Sequence, residues 1–265
     1  MIKQQAGGKK GCQMSTIPGG SFIVDTANHQ VYTGSAGDDV FWLSHNFDTA
    51  TSGGGDDVFL LSGNHDQILG GSGDDVILSS GNHNEFDLGD GNNVVMASGA
   101  GSDTMLGGAG DDTMIASGGH NLLHAGTGDS YLEGGATGGD TMIGGAGDDT
   151  LQAGGGHEIM TAGSGNTILV NGSGDDTMIG GSGQDHFVFN SNGGQNVVMG
   201  FHQGDMLVIQ ANINGLHIAS PADVAAHATD QGGNAVIALG HETITLIGVK
   251  VEDIHSNPSH YFTVH

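Results

Sequence analysis

The stretch GGAGDDTMI, residues 107–115, returns as GGAGDDTLQ at 144–152 and as NGSGDDTMI at 171–179. Glycine loses more entropy on ordering than any other residue. Adjacent carboxylates repel. Repeating both together is costly unless something binds where they meet.

Working outward from this stretch, the chain falls into rows of nine from Thr16 to Val188. Nineteen rows fit, with one inserted residue near Ala97 and another within 134–143. The fourth position of every row is Gly or Asn, with Asn28, Asn46, Asn64 and Asn82 as the exceptions to Gly. Both residue types tolerate a left-handed backbone, so one turn residue with positive φ is expected at that position in each row. The eighth position is apolar in every row, from Ile23, Tyr32 and Phe41 through Met178 and Phe187. A single inward residue flanked by Val or Thr reads as a very short strand. Apolar residues nine apart with glycines between them make no helical stripe.

The four asparagines are 18 residues apart, so two rows make one coil of strand, turn, strand, turn. Stacking such coils about 4.8 Å apart predicts a rod of roughly 45 Å, with two facing sheets and one layer of eighth-position side chains between them. The asparagines are expected to form a stacked amide ladder. A longer period of 36 or 37 residues joins 34–69, 70–106, 107–143 and 144–179. The inward methionines read as gap-filling core, and Trp42 as a packing aromatic on a sheet face.

The sixth position carries Asp in eleven rows: Asp39, Asp48, Asp57, Asp66, Asp75, Asp103, Asp112, Asp140, Asp149, Asp176 and Asp185. Stacking places Asp39, Asp57 and Asp75 on one edge, and Asp48 and Asp66 on the other. Carboxylates about 4.8 Å apart repel, and carbonyls exposed by the glycine turns need partners. A hard cation answers both needs. Calcium accepts carboxylate and carbonyl oxygens in flexible geometry, whereas magnesium demands a tighter octahedron. The expected ligands are these aspartates and the turn glycines Gly71, Gly73, Gly108, Gly110, Gly145, Gly147, Gly181 and Gly183. The first Asp of each pair, such as Asp111, is expected to face water. Weaker residues replace Asp at Asn84, Asn93, Asn121, Ser130, Glu158 and Thr167, so several calcium ions are expected, but fewer than there are turns.

Composition narrows the partners. Lys and Arg total 4 against 30 Asp and Glu, for a formal charge of −26. There is no arginine, and Lys250 is the only lysine beyond Lys3, Lys9 and Lys10. Nucleic acid and anionic lipid both need a basic surface and are not expected. One cysteine, Cys12, allows no internal disulfide framework. No apolar run reaches the length of a membrane span, and the first 20 residues contain no cleavable signal. Fifteen histidines are present; His65, His83, His120 and His157 share the fifth position, as solvent-facing residues or with a metal or pH role.

GGSGDDVIL (70–78), GGAGDDTMI and GGSGQDHFV (180–188) resemble the nonapeptide of RTX (repeats-in-toxin) proteins. The resemblance covers at least 34–188. It implies an all-β, right-handed parallel β-roll with calcium between stacked turns. It also implies folding on calcium binding outside a bacterial cell. The segments 200–209 and 233–254 and the terminal YFTVH resemble the non-repetitive ends of such proteins. In that family this end caps the roll and carries an uncleaved type I secretion signal. The expected organisation is a leader (1–15), a β-roll (16–188) and a β-rich cap (189–265), with one helix near 221–229.

The function expected is that of a secreted or surface-attached calcium-binding structural or matrix protein, which assembles with itself through an open first coil and a basic leader. No catalytic motif such as HExxH or GxSxG is present, and the early start of the roll leaves no room for a preceding enzyme domain, so no enzymatic activity is expected. Two alternatives remain. One is an adhesin or carbohydrate-binding module with a cell-surface or matrix polysaccharide as partner, for which an aromatic row on one sheet face would speak. The other is the C-terminal part of a larger exported toxin or enzyme.

Overall fold

A computed structural model describes residues 12–17, 19–191 and 193–265. Lys3, Lys9, Lys10 and most of the expected leader lie outside the described residues. The chain is all-β with few helices and forms two compact units, Met1–Ser130 and Tyr131–His265.

In the first unit, strands of three to six residues pair in parallel with the strand two rows on. Val40–Leu43 pairs with Val58–Leu61, which pairs with Val76–Ser79, in steps of 18. Val94 then pairs with Thr113 and Glu85 with Thr104, each a step of 19, which places the inserted residue between Val94 and Thr104. The second sheet of this unit runs from Val31–Thr33 through Thr49–Thr51, Gln67–Leu69 and Glu85–Asp87.

All nineteen eighth-position residues are buried, at most 6% exposed. Along the stack Phe41 lies on Phe59 with ring centroids 4.4 Å apart. The core is thicker than one layer, however. Strand Val40–Leu43 buries both Phe41 and Leu43, and Val58–Leu61 both Phe59 and Leu61. The second inward position is the first of the following row, where Leu88, Ala125, Ala162 and Phe189 are also buried. Successive residues of a strand point to opposite faces, so a four-residue strand brings two side chains inward. Burial of a large apolar side chain contributes about 1.5–3 kcal/mol, and this second row adds to the core that orders the glycine turns.

The turn backbone departs from expectation at the asparagine rows and at Gly37 and Gly119, none of which has a positive φ at the fourth position. In the asparagine rows the positive φ belongs to the fifth residue, His29, Phe47, His65 and His83, at 59–62°, and after Gly119 it belongs to His120. The asparagines instead hold one another. Asn46 N–H donates to Asn28 Oδ1 at 3.0 Å, Asn64 N–H to Asn46 Oδ1 at 2.8 Å and Asn82 N–H to Asn64 Oδ1 at 2.8 Å. The expected amide ladder is present, and the left-handed residue moves one place on. The displaced rings stack: His29 on Phe47 and Phe47 on His65 at 4.8 Å, and His65 beside His83 at 4.9 Å.

Two expected boundaries shift. Residues 12–15, assigned to the leader, belong to strand Cys12–Ile17, which pairs antiparallel with Gly20–Val24. At the other end, coil stacking does not stop at Val188. In the second unit Met178 pairs with Val198 and Phe187 with Leu207, each a step of 20. Two extra residues in the turn break the nine-residue rhythm without breaking the pairing.

Beyond this coil, Glu242–Leu246 pairs in parallel with Gln195–Met199, and Phe262–Val264 with Met206–Ile209. The antiparallel strands Ala228–Gln231 and Asn234–Leu239 complete the sheet. The expected helix is Pro221–Ala225, whose N-cap Ser220 side chain accepts from the Asp223 N–H. A second helix, Val251–Ser256, occupies part of the segment read as strand.

Candidate metal centre

Every sixth-position aspartate of the repeat is buried, at 0–2% exposure. Each turn directs this side chain under itself, where one oxygen meets the backbone of the preceding coil. Asp39 N–H donates to Asp57 Oδ1 at 2.6 Å and Asp57 N–H to Asp75 Oδ1 at 2.9 Å. Asp75 N–H continues to Asn93 Oδ1 and Asn93 N–H to Asp112 Oδ1. On the other edge the ladder runs from Gln30 N–H to Asp48, Asp48 to Asp66, Asp66 to Asn84 and Asn84 to Asp103, at 2.7–2.8 Å. In the second unit Glu158 N–H donates to Asp176 and Thr167 N–H to Asp185.

This ladder explains the replacements Asn84, Asn93, Asn121 and Ser130, but not Glu158 and Thr167, whose side-chain oxygens accept no hydrogen bond. One side-chain oxygen satisfies the backbone N–H of the neighbouring coil, and Asn supplies it as well as Asp. The ladder also passes Val188, since Asp176 N–H donates to Asn196 Oδ1 and Asp185 N–H to Asp205 Oδ1. Asn196 and Asp205 thus hold the sixth position of the extra coil, which the broken register hides in the sequence.

The second carboxylate oxygen is the one left over. Oδ2 of Asp48, Asp57, Asp66, Asp75 and Asp112 is buried without a hydrogen-bond partner, as are both oxygens of Glu158. A buried unpaired carboxylate is costly, and its pKa rises. Burial, with the charge of Asp57 adding to it, pushes Asp75 up to about 7. Burial likewise pushes Asp66 and Asp103 up to about 6. At Glu158, burial and then the Asp176 carboxyl beside it raise the pKa to about 9. No lysine or arginine occurs between residues 11 and 249 to neutralise these groups.

The space beside these oxygens is kept open by the first glycine of the row. A Cβ on Gly70 or Gly107 would lie 2.5 Å from Oδ2 of Asp75 or Asp112 and against the carbonyl of Leu88 or Ala125 in the next coil. A Cβ on Gly144 would lie 2.6 Å from Asp149 Oδ2 and against the Ala162 carbonyl. Each niche is therefore lined by a carboxylate oxygen and a carbonyl oxygen. Among the described residues no three His, Cys, Asp or Glu side chains form a metal cluster; the oxygens beside the carboxylates in these niches are backbone carbonyls. Such an all-oxygen donor set suits calcium. The residues fit the ion: Asp57, Asp75 and Asp112 on one edge and Asp48 and Asp66 on the other offer their second oxygen. A bound calcium would neutralise them.

The expected glycine ligands are placed less uniformly. Gly71, Gly73, Gly108, Gly110, Gly145, Gly147 and Gly183 have positive φ, and Gly181 does not. The Gly71 carbonyl accepts the Asp90 N–H at 2.8 Å, and that of Gly181 lies 2.7 Å from His202 Nε2. The first Asp of each pair is exposed as expected, but it is also bound. Asp56 N–H donates to Asp38 Oδ1, Asp74 N–H to Asp56 Oδ1 and Asp129 N–H to Asp111 Oδ1, at 2.8–3.1 Å. In the pair Asp56–Asp57, the first side chain clips the following coil and the second the preceding one.

Two further features were not anticipated. Glu242 is buried and accepts from the side-chain amides of Asn171, Asn196 and Asn214 at 3.2–3.3 Å. Trp42 is 53% exposed rather than packed, in register with Leu60, Leu78 and Met96. Its row neighbours are aliphatic, so it heads no aromatic row.

The family comparison agrees with this geometry. The RTX calcium-binding nonapeptide repeat matches four times, at 61–95, 97–132, 134–169 and 172–199, together just over half of the chain. The chain belongs to the RTX calcium-binding repeat family. No curated protein matches it. Among solved structures it is similar to the extracellular lipase LipA from Serratia marcescens, at 23% identity and a TM-score of 0.33. The match covers 91% of this chain and 42% of that one, so the chain spans less than half the length of that protein. The repeats of this family bind calcium, an ion that an oxygen-lined niche suits. No helix among the described residues is long and apolar enough to cross a membrane.

Proposed function

We propose that this RTX chain is an exported, non-catalytic structural protein of a cell surface or matrix, whose roll is completed by calcium outside the cell. The observation that carries the reading is the row of buried, unpartnered Oδ2 atoms on Asp48, Asp57, Asp66, Asp75 and Asp112 in a stretch without Lys or Arg. Without a cation each is an uncompensated buried charge. With calcium the same oxygens bind the ion and the coils close. Family membership supports export by the type I route. Calorimetric titration tests the reading: saturable calcium binding, at fewer ions than turns and much weaker for magnesium, is expected. Absence of saturable binding contradicts it.

Self-assembly is part of the proposal, through one sheet edge. Strand Cys12–Ile17 covers the first edge of one sheet. In the other sheet Val31–Thr33 is the outermost strand among the described residues, and Val31 is 77% exposed. An open strand edge is a template for pairing with another chain. Light scattering in calcium should report an oligomer that Val31→Lys reduces to monomer; a monomer at all concentrations contradicts this part.

A further inference from the structure

Within the second unit, a cleft of about 620 Å³ opens beside the last coil, lined among others by Phe201, His202, Lys250, Asp253, His260 and Tyr261. Its size is that of a small-molecule site, for which about 300–1,000 Å³ is typical. Phe201 and Tyr261 lie nearly parallel, 15° apart with centroids at 5.9 Å. Phe201 in turn packs on the buried core residue Phe187 at 5.9 Å. The Tyr261 backbone is fixed by its carbonyl, which accepts the Leu207 N–H at 2.8 Å. The aromatic wall is therefore held by the core.

The cleft sets one lysine beside the carboxylates of Asp205 and Asp253. Lys250 is the only lysine from residue 11 to the end of a chain with a net charge of −26. It is exposed, it precedes helix Val251–Ser256, and among the described residues it enters no ion pair. His202 is engaged within the fold, with Nδ1 at 3.2 Å from Asp205 Oδ1 and Nε2 at 2.7 Å from the Gly181 carbonyl. His260 is exposed at the cleft, and Asp253 supplies a second polar group on the helix that Lys250 precedes.

We propose that this cleft binds a uronic acid unit of an acidic saccharide. The Tyr261 ring, backed by Phe201, offers an apolar surface for the CH face of a pyranose, Lys250 a partner for its carboxylate, and His260 and Asp253 hydrogen-bonding groups for its hydroxyls. A neutral sugar would leave the lysine unused. A flat aromatic acid would leave the hydroxyl-binding groups unused. Asp205, the sixth-position residue of the extra coil, lies at the cleft wall, but the inference goes beyond the calcium reading, because Lys250, Asp253, His260 and Tyr261 all lie outside the repeat.

The test is calorimetry on the full chain in saturating calcium, with three probes: a galacturonate trisaccharide, the matching neutral galactose trisaccharide, and benzoate. A blank titration into the same buffer removes the heat of the sugar with calcium. The galacturonate trisaccharide should bind saturably and at least tenfold more tightly than either other probe. Lys250→Met and Tyr261→Leu should each weaken it at least tenfold with an unchanged circular dichroism spectrum. Absence of saturable binding, equal binding of the neutral sugar or benzoate, or wild-type affinity in Lys250→Met overturns the proposal. Lys250 is exposed, so its variant stays informative if Tyr261→Leu disturbs the cap.

Discussion

The backbone N–H of Asp39 donates to Oδ1 of Asp57 at 2.6 Å, while Oδ2 of Asp57 has no hydrogen-bond partner. One side chain thus has two oxygens in different settings: the first joins coils, and the second is the calcium ligand of the proposed function.

The two tasks separate by substitution. Asp57→Asn keeps an oxygen for the Asp39 N–H and removes the charge. It should retain stability in chelator at pH 5, where the calcium-free fold is favoured, and lose calcium affinity. Asp57→Ala leaves the buried Asp39 N–H without an acceptor, a loss of about 1–3 kcal/mol, and should be destabilised in chelator as well. Denaturant melts of both variants with and without calcium check this.

Acid should stabilise the calcium-free protein. Asp66 and Asp103 titrate at about 6 and Asp75 at about 7 in the fold, above the unfolded value of about 3.9. A raised folded pKa contributes stability that is complete below the unfolded value and lost as pH rises through the folded one. Melting temperature in chelator should therefore fall between pH 5 and pH 8. In calcium the trend should reverse, because protons compete with the ion for the same oxygens. Melts at the two pH values in both buffers decide the matter.

The niche itself can be filled. Gly70→Ala places a methyl group 2.5 Å from Asp75 Oδ2 and against the Leu88 carbonyl. Gly70 is not among the positive-φ glycines, so the effect comes from occupied space. Both calcium affinity and calcium-dependent stability should drop, as read by calorimetry and thermal melts.

The cap should depend on Glu242. Glu242→Ala leaves the amides of Asn171, Asn196 and Asn214 without this acceptor. A buried polar group left unsatisfied costs about 1–3 kcal/mol. Glu242→Gln keeps an oxygen and should be milder. Thermal melts in calcium compare the two.

Much of the roll is legible in the sequence because its signals are single residue types at a single spacing. The eighth position is apolar in every row, and the sixth is mostly Asp. The second inward position is hidden because it mixes Leu43 and Leu61 with Gly70, Ser79 and Ala125, and no residue type marks it. The Asp ladder is hidden for a related reason. Asn84, Asn93 and Ser130 look like failed metal ligands, yet each still accepts a backbone hydrogen bond. Two added residues conceal the coil after Val188. Glu242 lies 46 residues from Asn196, beyond the reach of any local pattern.

The central claim is that calcium completes the fold, and a calcium titration of the chelator-treated chain followed by circular dichroism tests it most directly. At neutral pH the account predicts a cooperative gain of β-structure with calcium and little with magnesium. An unchanged spectrum from chelator to saturating calcium, with full β-structure or none throughout, would contradict it.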